Sequence, residues 1–204
     1  PGSLYRIYRT LGFSSKAPST KKKRNPQKYD TPTQLGVKWQ LDVKYVPSAC
    51  YVGEFPDKFY QYTMIDEASR ERFIYPYREQ SSYSTIDFVK RAINYFRYSP
   101  ETIQTDNGFE FTYPKDYKRT HSFDIFCNQL EIQHKLIRPR THWHNGKVER
   151  SHRNDQERFY NFLSFYSFED LKVQMYRYMR RSNRIPMAVL GWISPIERRF
   201  QLQA

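Results

Sequence analysis

The order of local patterns along this chain predicts a mixed α/β domain, on three observations. Three successive segments rich in aromatic and β-branched residues alternate apolar and polar positions between residues 39 and 77. Segments with helical apolar spacing occupy residues 84–98 and 168–182. Two shorter β-type runs, 102–105 and 132–137, are interleaved with helical patterns, giving the order βββ-α-β-α-β-α-α.

The first strand is expected over 39–46, where Trp, Leu, Val and Tyr alternate with polar residues and Asp42 lies mid-segment. Residues 58–65 and 72–77 read as the second and third strands of an antiparallel meander, joined through Asp66, Glu67, Ala68, Ser69 and Arg70. Ile86, Val89, Ile93 and Phe96 then recur at helical spacing, with Ser84 or Thr85 as N-cap and Pro100 beyond the end. A short fourth strand runs into Asp106-Asn107-Gly108, a turn triplet that exposes its aspartate at a strand's carboxyl end. Residues 123–130 suggest an amphipathic helix and 132–137 a fifth strand closed by Pro139. A helix carrying Glu149 follows to about residue 165, a last helix covers 168–182, and 183–197 reads as loop. No internal repeat is evident.

With 204 residues the chain can build one domain with a proper core plus appendages, and 15 Phe, 18 Tyr and 3 Trp supply apolar area despite a mean hydropathy of −0.89. A net charge of +13 implies a polyanionic partner, nucleic acid before an anionic membrane surface. Residues 1–30 hold eight Lys and Arg against one Asp, and the remainder 26 against 20 acids. Residues 1–38 are therefore expected to be a cleaved-tag remnant, Pro1-Gly2-Ser3, followed by a basic linker or arm. Its Lys21, Lys22, Lys23 and Arg24 either contact a DNA backbone or form a solvated tether. Residues 39–165 are expected to form the core and 166–204 its C-terminal helix and tail. Cys50 and Cys127 are too few and too isolated for a disulfide framework or zinc finger, which fits a reducing compartment. No apolar run is long enough for a membrane span and no secretory signal core opens the chain. The expected location is the cytoplasm or nucleus.

Asp42, Asp106 and Glu149 come from three separate elements, and three such acids brought together make a divalent-metal site. Attack on a phosphodiester requires the charge on nucleophile and leaving oxygen to be neutralised. Two Mg²⁺ or Mn²⁺ ions about 4 Å apart do this, and both prefer hard carboxylate oxygens. Spacing alone leaves other readings open. Asp42 could be a solvated strand aspartate, Asp106 a plain turn residue, and Glu149 an i,i+4 partner of Arg153, while Asp66, Glu67, Glu110 and Asp124 compete as ligands.

Ordered motifs resolve the choice. Thr105-Asp106-Asn107-Gly108-Phe109-Glu110-Phe111 resembles the T/S-D-N-G-x-E-F motif of integrase-core DDE transposases and retroviral integrases. Asn145-Gly146-Lys147-Val148-Glu149-Arg150, with His152, is similar to the N-G-x-x-E-R segment bearing their third acid. Trp39-Gln40-Leu41-Asp42 resembles their first strand, and Asp66-Glu67-Ala68-Ser69-Arg70 their D-x-x-S-R turn. Leu190-Gly191-Trp192-Ile193-Ser194-Pro195-Ile196-Glu197 resembles the closing motif of bacterial insertion-sequence transposases of this group. The one departure is the interval of 42 residues between Asp106 and Glu149, longer than usual, with the surplus expected at 113–121.

The resemblance implies an RNase H-like fold, a five-stranded mixed sheet flanked by helices. It also implies catalysis and metal binding by Asp42, Asp106 and Glu149 with two Mg²⁺ or Mn²⁺ ions. The implied activity is DNA end cleavage and strand transfer by a homodimer or larger assembly on DNA, with no membrane partner. The rival functions are a nuclease on the same fold that does not join DNA, and a domesticated DNA-binding scaffold. Asn145, Lys147, Arg150 and Arg153 are further candidate DNA contacts, against a solvated basic face for Lys147 and Arg150. His142, His144 and His152 form a poor zinc pattern and read as polar loop groups.

Overall fold

The computed structural model describes residues 2–12, 31–114, 116–138 and 145–203. They fall in two compact units, Pro1–Asp30 and Thr31–Ala204. In the first, helix α1 spans Gly2–Thr10. No helix was expected in this basic segment, yet Leu4, Ile7 and Tyr8 stand at i, i+3 and i+4 with no proline between them. Lys21, Lys22, Lys23 and Arg24 lie outside the described residues.

The second unit is built on a five-stranded sheet of order β3-β2-β1-β4-β5. Strands β1 (Lys38–Tyr45), β2 (Tyr60–Asp66) and β3 (Arg72–Tyr77) form the antiparallel meander. Strand β4 (Thr102–Thr105) pairs parallel with β1, and β5 (Gln133–Leu136) parallel with β4. Helices α2 (Ser82–Phe96) and α3 (Ser122–Gln129) make the crossovers that parallel pairing demands. Helices α4 (Gly146–Arg158), α5 (Phe168–Ser182) and α6 (Pro195–Gln203) follow. This mixed sheet with flanking helices is an RNase H-like fold.

Strand alternation gives the sheet two different faces, because neighbouring residues of a strand point to opposite sides. Trp39, Tyr62 and Phe73 lie against α2, with Trp39 and Phe96 ring centroids 4.7 Å apart and Tyr62 and Phe73 each 5.4 Å from Phe88. The opposite face of β1 and β2 carries Gln40, Asp42, Gln61 and Thr63 and is covered by α4. Burying so many polar groups is tolerable only if each finds a partner. Asp155 of α4 supplies several: its carboxylate accepts from Arg72 Nη1 at 2.6 Å, Gln61 Nε2 at 2.7 Å and the Tyr178 hydroxyl at 2.9 Å.

Element ends differ from expectation where several residues could serve. The N-cap of α2 is Ser81, whose hydroxyl accepts from the Ser84 N–H at 3.1 Å, so Ser84 and Thr85 are already inside the helix. This start turns Phe88 and Ala92 into the core with Val89 and Phe96. Helix α4 stops at Arg158 rather than near 165. An extended passage after a 3₁₀ turn lets Phe165 bury its ring and bond through its backbone to Cys50 and Val52. The expected loop 183–197 ends in α6. Ser194 is its cap and Glu197 accepts from both the Ser194 N–H and hydroxyl at 2.7 Å, a capping box with Pro195 in the first turn.

Residues 31–37 pack with the second unit instead of the arm. Gly36 donates its N–H to Asp66 Oδ2 at 2.9 Å and accepts from the Glu101 N–H at 2.7 Å. Its φ of +75°, and the Ser99 carbonyl oxygen 3.1 Å from where a Cβ would stand, make glycine necessary there.

Candidate active site

Parallel pairing sets Gln40 of β1 opposite Gln104 of β4. Asp42 and Asp106 each lie two residues further along their chain, so equal register carries them to the same level. The period of two puts both on the face covered by α4. Asp106 leaves its strand in an Asx turn, Oδ1 accepting from the Gly108 N–H at 2.9 Å. Asn107 donates from Nδ2 to the Ile137 carbonyl at 3.1 Å, fixing this turn beside the end of β5. A Cβ at Gly108 would stand 2.5 Å from the Glu110 carboxylate, which folds back over the turn.

The first turn of α4 is docked on β1. Gln40 Oε1 accepts from the Lys147 and Val148 N–H groups, each at 3.2 Å, which satisfies two donors a helix start otherwise leaves unpaired. Gln40 Nε2 in turn donates to Glu67 at 2.8 Å. Glu67, fully buried, also takes the ammonium groups of Lys38, at 3.4 Å, and Lys147. Val148 is buried, and Glu149 beside it is exposed. His152, one turn further on, sets Nδ1 3.5 Å from Asp42 Oδ2 and Nε2 3.0 Å from the Thr63 hydroxyl.

The acids feel one another. Burial and then the charge of Asp106 push the Asp42 carboxyl up to about 7, Glu149 and Glu110 adding to the rise and the Val43 N–H opposing it. Glu110 is also raised, first by burial, with Asp106 contributing, although Gln80 donates to it at 2.6 Å. Burial lowers His152 to about 4, so a neutral imidazole, not a counter-charge, stands beside Asp42. Among the described residues no three His, Cys, Asp or Glu side chains stand close enough to hold an ion as they are. The donor set nonetheless fits Mg²⁺ or Mn²⁺: all are hard carboxylates, and the charges of Asp106 and Glu149 add to the rise at Asp42 in a way that a cation would relieve.

The candidate DNA contacts separate. Arg150 and Arg153 are exposed on α4, and the Glu149–Arg153 pair that i,i+4 spacing offers does not form. Lys147 is neither a DNA-facing cation nor part of a solvated basic face, since its ammonium is spent on buried Glu67. Asn145 is buried, donating to the Leu41 carbonyl at 3.4 Å, and its Oδ1 has no partner among the described residues. His142, Trp143 and His144 lie outside the described residues. Of the competing acids, Asp66 is structural. It accepts from Trp39 Nε1 at 3.1 Å, Gly36 N–H at 2.9 Å and the Ala68 and Ser69 N–H groups at 3.0 and 2.8 Å.

Sequence reasoning passed over Gln40, weighed Glu67 only as a rival metal ligand and read His152 as a polar loop group, whereas Glu67 anchors Lys147 and His152 lies inside α4 beside Asp42. His152 could have been found, since i+3 from Glu149 lies on nearly the same helix face. The anchoring role of Gln40 and Glu67 has no mark in the sequence, because it arises only once β1 and β2 pair.

A sheet of this topology, with carboxylates gathered from β1, the end of β4 and the start of α4, defines an RNase H-like domain of the integrase-core type. The pattern of the integrase core domain matches residues 32–142, and a second integrase core domain pattern matches 130–195. The chain belongs to the integrase core domain family, which supports an integrase- or transposase-type function. A candidate integrase, ORF3 of Spiroplasma virus SpV1-C74, is 38% identical over 125 residues, 56% of this chain and 34% of that protein. The retrovirus-related Pol polyprotein from transposon RE2 of Arabidopsis thaliana is 28% identical over 149 residues, 69% of this chain and 9% of the polyprotein. The chain thus spans about a third of the first relative and a tenth or less of the second. Among solved structures, the HTLV-2 integrase catalytic core in complex with magnesium aligns with a TM-score of 0.59 at 18% identity, covering 81% of this chain and 97% of that one. The BIV integrase catalytic core aligns at 0.61 and 18% identity, covering 82% and 96%. A simian T-cell lymphotropic virus intasome chain aligns at 0.62 and 16% identity, covering 97% and 73%. These structural likenesses establish the fold.

Proposed function

We propose that this chain is the catalytic core of a DNA transposase or integrase, which cuts element ends by hydrolysis and joins the freed 3′-hydroxyl to target DNA by a DDE mechanism. One observation carries the reading: the parallel register of β1 and β4 brings Asp42 and Asp106 to one level of the face covered by α4, where burial and then the charges of Asp106, Glu149 and Glu110 push the Asp42 carboxyl up to about 7. A carboxyl raised by burial and by neighbouring acids suits a site that works with cations. Asp42, Asp106 and Glu149 would hold two Mg²⁺ or Mn²⁺ ions, which when bound supply the charge neutralisation that phosphodiester attack needs.

The chain's own groups do the positioning. The Asx turn holds Asp106, His152 and the Val43 N–H brace Asp42, and Gln40 with Glu67 holds the helix start that carries Glu149. The net charge of +13, with Arg150 and Arg153 exposed beside the acids, supports DNA as partner. The magnesium and the dimeric and trimeric forms named for HTLV-2 integrase support metal use and an oligomer. In this reading residues 39–165 and 166–204, with 31–38 packed on them, form one catalytic body, 1–30 add a basic arm, and the protein works at the chromosome, in a nucleoid or a nucleus.

The test is a strand-transfer assay with a pre-cut 3′-hydroxyl donor. Wild-type protein is expected to give joined product only with Mg²⁺ or Mn²⁺. Asp106→Asn should bind DNA as tightly or more tightly and neither cut nor join. Cleavage without joining at any metal concentration would favour the nuclease, and unimpaired Asp106→Asn would overturn the site.

A further inference from the structure

The Asx turn at Asp106 opens directly onto a second feature that the carboxylates do not use. From the surplus segment, Tyr113, Pro114, Tyr117, Arg119, Thr120 and His121 line an open cavity of about 500 Å³ beside the turn, with Asn107, the residue after Asp106, in its wall. That volume lies within the range of small-molecule sites. Four aromatic rings, Phe109, Tyr113, Tyr117 and His121, share the wall with polar and aliphatic side chains. Tyr113 and Tyr117 have ring centroids 4.5 Å apart, Tyr113 and His121 4.6 Å, and Phe109 stands at the rim.

Phe109 is 79% exposed although its neighbours Glu110 and Phe111 are buried. Its backbone is fixed all the same. His121 Nδ1 accepts from the Phe123 N–H at 3.2 Å, which leaves the proton on Nε2, and Nε2 donates to the Phe109 carbonyl at 3.2 Å. The backbone anchor thus sets the ring at the cavity, where it has no aromatic partner among the described residues. An exposed aromatic ring forgoes the stabilisation that burial would bring, so its placement needs another reason.

We propose that this cavity is a binding site for one unstacked nucleobase of the DNA substrate, seated between the Phe109 and Tyr117 rings with its phosphate on Arg119. The inference rests on the DNA-joining reading above and deepens it by naming a subsite for the substrate. Three features select a nucleobase. Aromatic faces bind bases of any sequence by stacking. Arg119, exposed in the same wall, complements a phosphate. The site adjoins Asp106, so a strand whose phosphodiester lies at the carboxylates has its neighbouring base within reach. Asp124 also lines the cavity, but its carboxylate is engaged by His134 Nδ1 at 2.5 Å. The walls admit a base only after it leaves the duplex, so branched or frayed DNA is the ligand.

The probe is a DNA duplex carrying 2-aminopurine at one unpaired position beside a pre-cut 3′ end, with a fully paired duplex as control, both in EDTA so that binding is read apart from catalysis. Wild-type protein should quench the unpaired probe and bind it more tightly than the paired control. Phe109→Ala and Tyr117→Ala, truncations of exposed rings that leave the core intact, should each weaken the unpaired complex about fivefold or more and leave the paired one unchanged. Tyr117→Phe should bind like wild type. Equal binding of both duplexes by wild type and variants, with joining activity intact, overturns the pocket and spares the DNA-joining reading. Failure to bind either duplex overturns both. If the alanine variants instead dissociate an oligomer in sedimentation without changing DNA binding, the occupant is a second copy of the chain and the nucleobase assignment is wrong.

Discussion

Replacing Asp155 by alanine should cost about 3–5 kcal/mol of stability. The carboxylate is fully buried and accepts from Arg72 at 2.6 Å, Gln61 at 2.7 Å and Tyr178 at 2.9 Å. Arg72, whose side chain is 8% exposed, would keep the Ser182 hydroxyl, at 3.0 and 3.3 Å, and the Tyr178 ring, 5.2 Å from its guanidinium, neither of which carries a charge. The cost is therefore that of a buried cation stripped of its counter-ion, larger than the net worth of the pair. With a urea m-value of about 1–3 kcal/mol/M, the midpoint should fall by roughly 1–5 M. Pairing the change with Arg72→Met should restore most of the loss, because an apolar pair needs no solvation. A drop of less than about 1 kcal/mol in the single variant, or no recovery in the pair, would refute the view that this ion pair fastens α4 to the sheet.

Acid titration gives the same test another axis. Burial pushes the Asp155 carboxyl up, but Arg72, then the Gln61 hydrogen bond, outweigh it and hold the group below its ordinary value. A carboxyl lowered on folding contributes stability above its unfolded pKa of about 3.9, and that contribution is lost as pH falls through the folded value. Wild-type protein should therefore lose stability below about pH 4 more steeply than Asp155→Asn.

Three further outcomes are expected. Lys147→Met should destabilise the fold and leave the salt dependence of DNA binding unchanged, whereas Arg153→Ala should lower the slope of log K against log salt by about 0.9; the reverse pattern in a salt titration would return Lys147 to the DNA face. Ser194→Ala removes the cap of α6 and should cost about 1 kcal/mol in urea unfolding, and a change near zero would show that the capping box contributes nothing. Cys50 and Cys127 are buried, with burial pushing both thiols up, Cys127 to about 12, so neither should react with iodoacetamide at pH 8 until the protein unfolds; rapid native labelling would contradict their placement.

The first strand was legible because apolar and polar residues alternate in 39–46, with Trp39 and Leu41 on one side and Gln40 and Asp42 on the other, and the third because 72–77 is dense in β-forming residues, patterns local to each segment. Helix ends were less so. Ser81, Ser82, Ser84 and Thr85 can all cap, and only the demand that Phe88 and Ala92 face Trp39 and Tyr62 chooses Ser81. The end of α4 was misjudged because its aromatic continuation suits a helix and a core crossing equally, and contact with Cys50 and Val52 decides for the crossing. Helix α6 was missed although Ser194-Pro195-Ile196-Glu197 spells out a capping box, a local signal that was available.

The candidate site divides along the same line. The sequence by itself named Asp42, Asp106 and Glu149 through motifs that resemble those of the integrase core, and these motifs lie in a strand, a turn and a helix start, all short-range structures. Which cations remain for DNA, and what holds Glu149 in place, depended on tertiary structure. Lys147 and Arg150 look alike in sequence, three residues apart on one basic helix. Only the pairing of β1 with β2 brings Glu67 beneath Lys147 and none beneath Arg150. A buried carboxylate selects its partner by distance through a medium of low polarity, and distance across a sheet is a property that no local pattern contains.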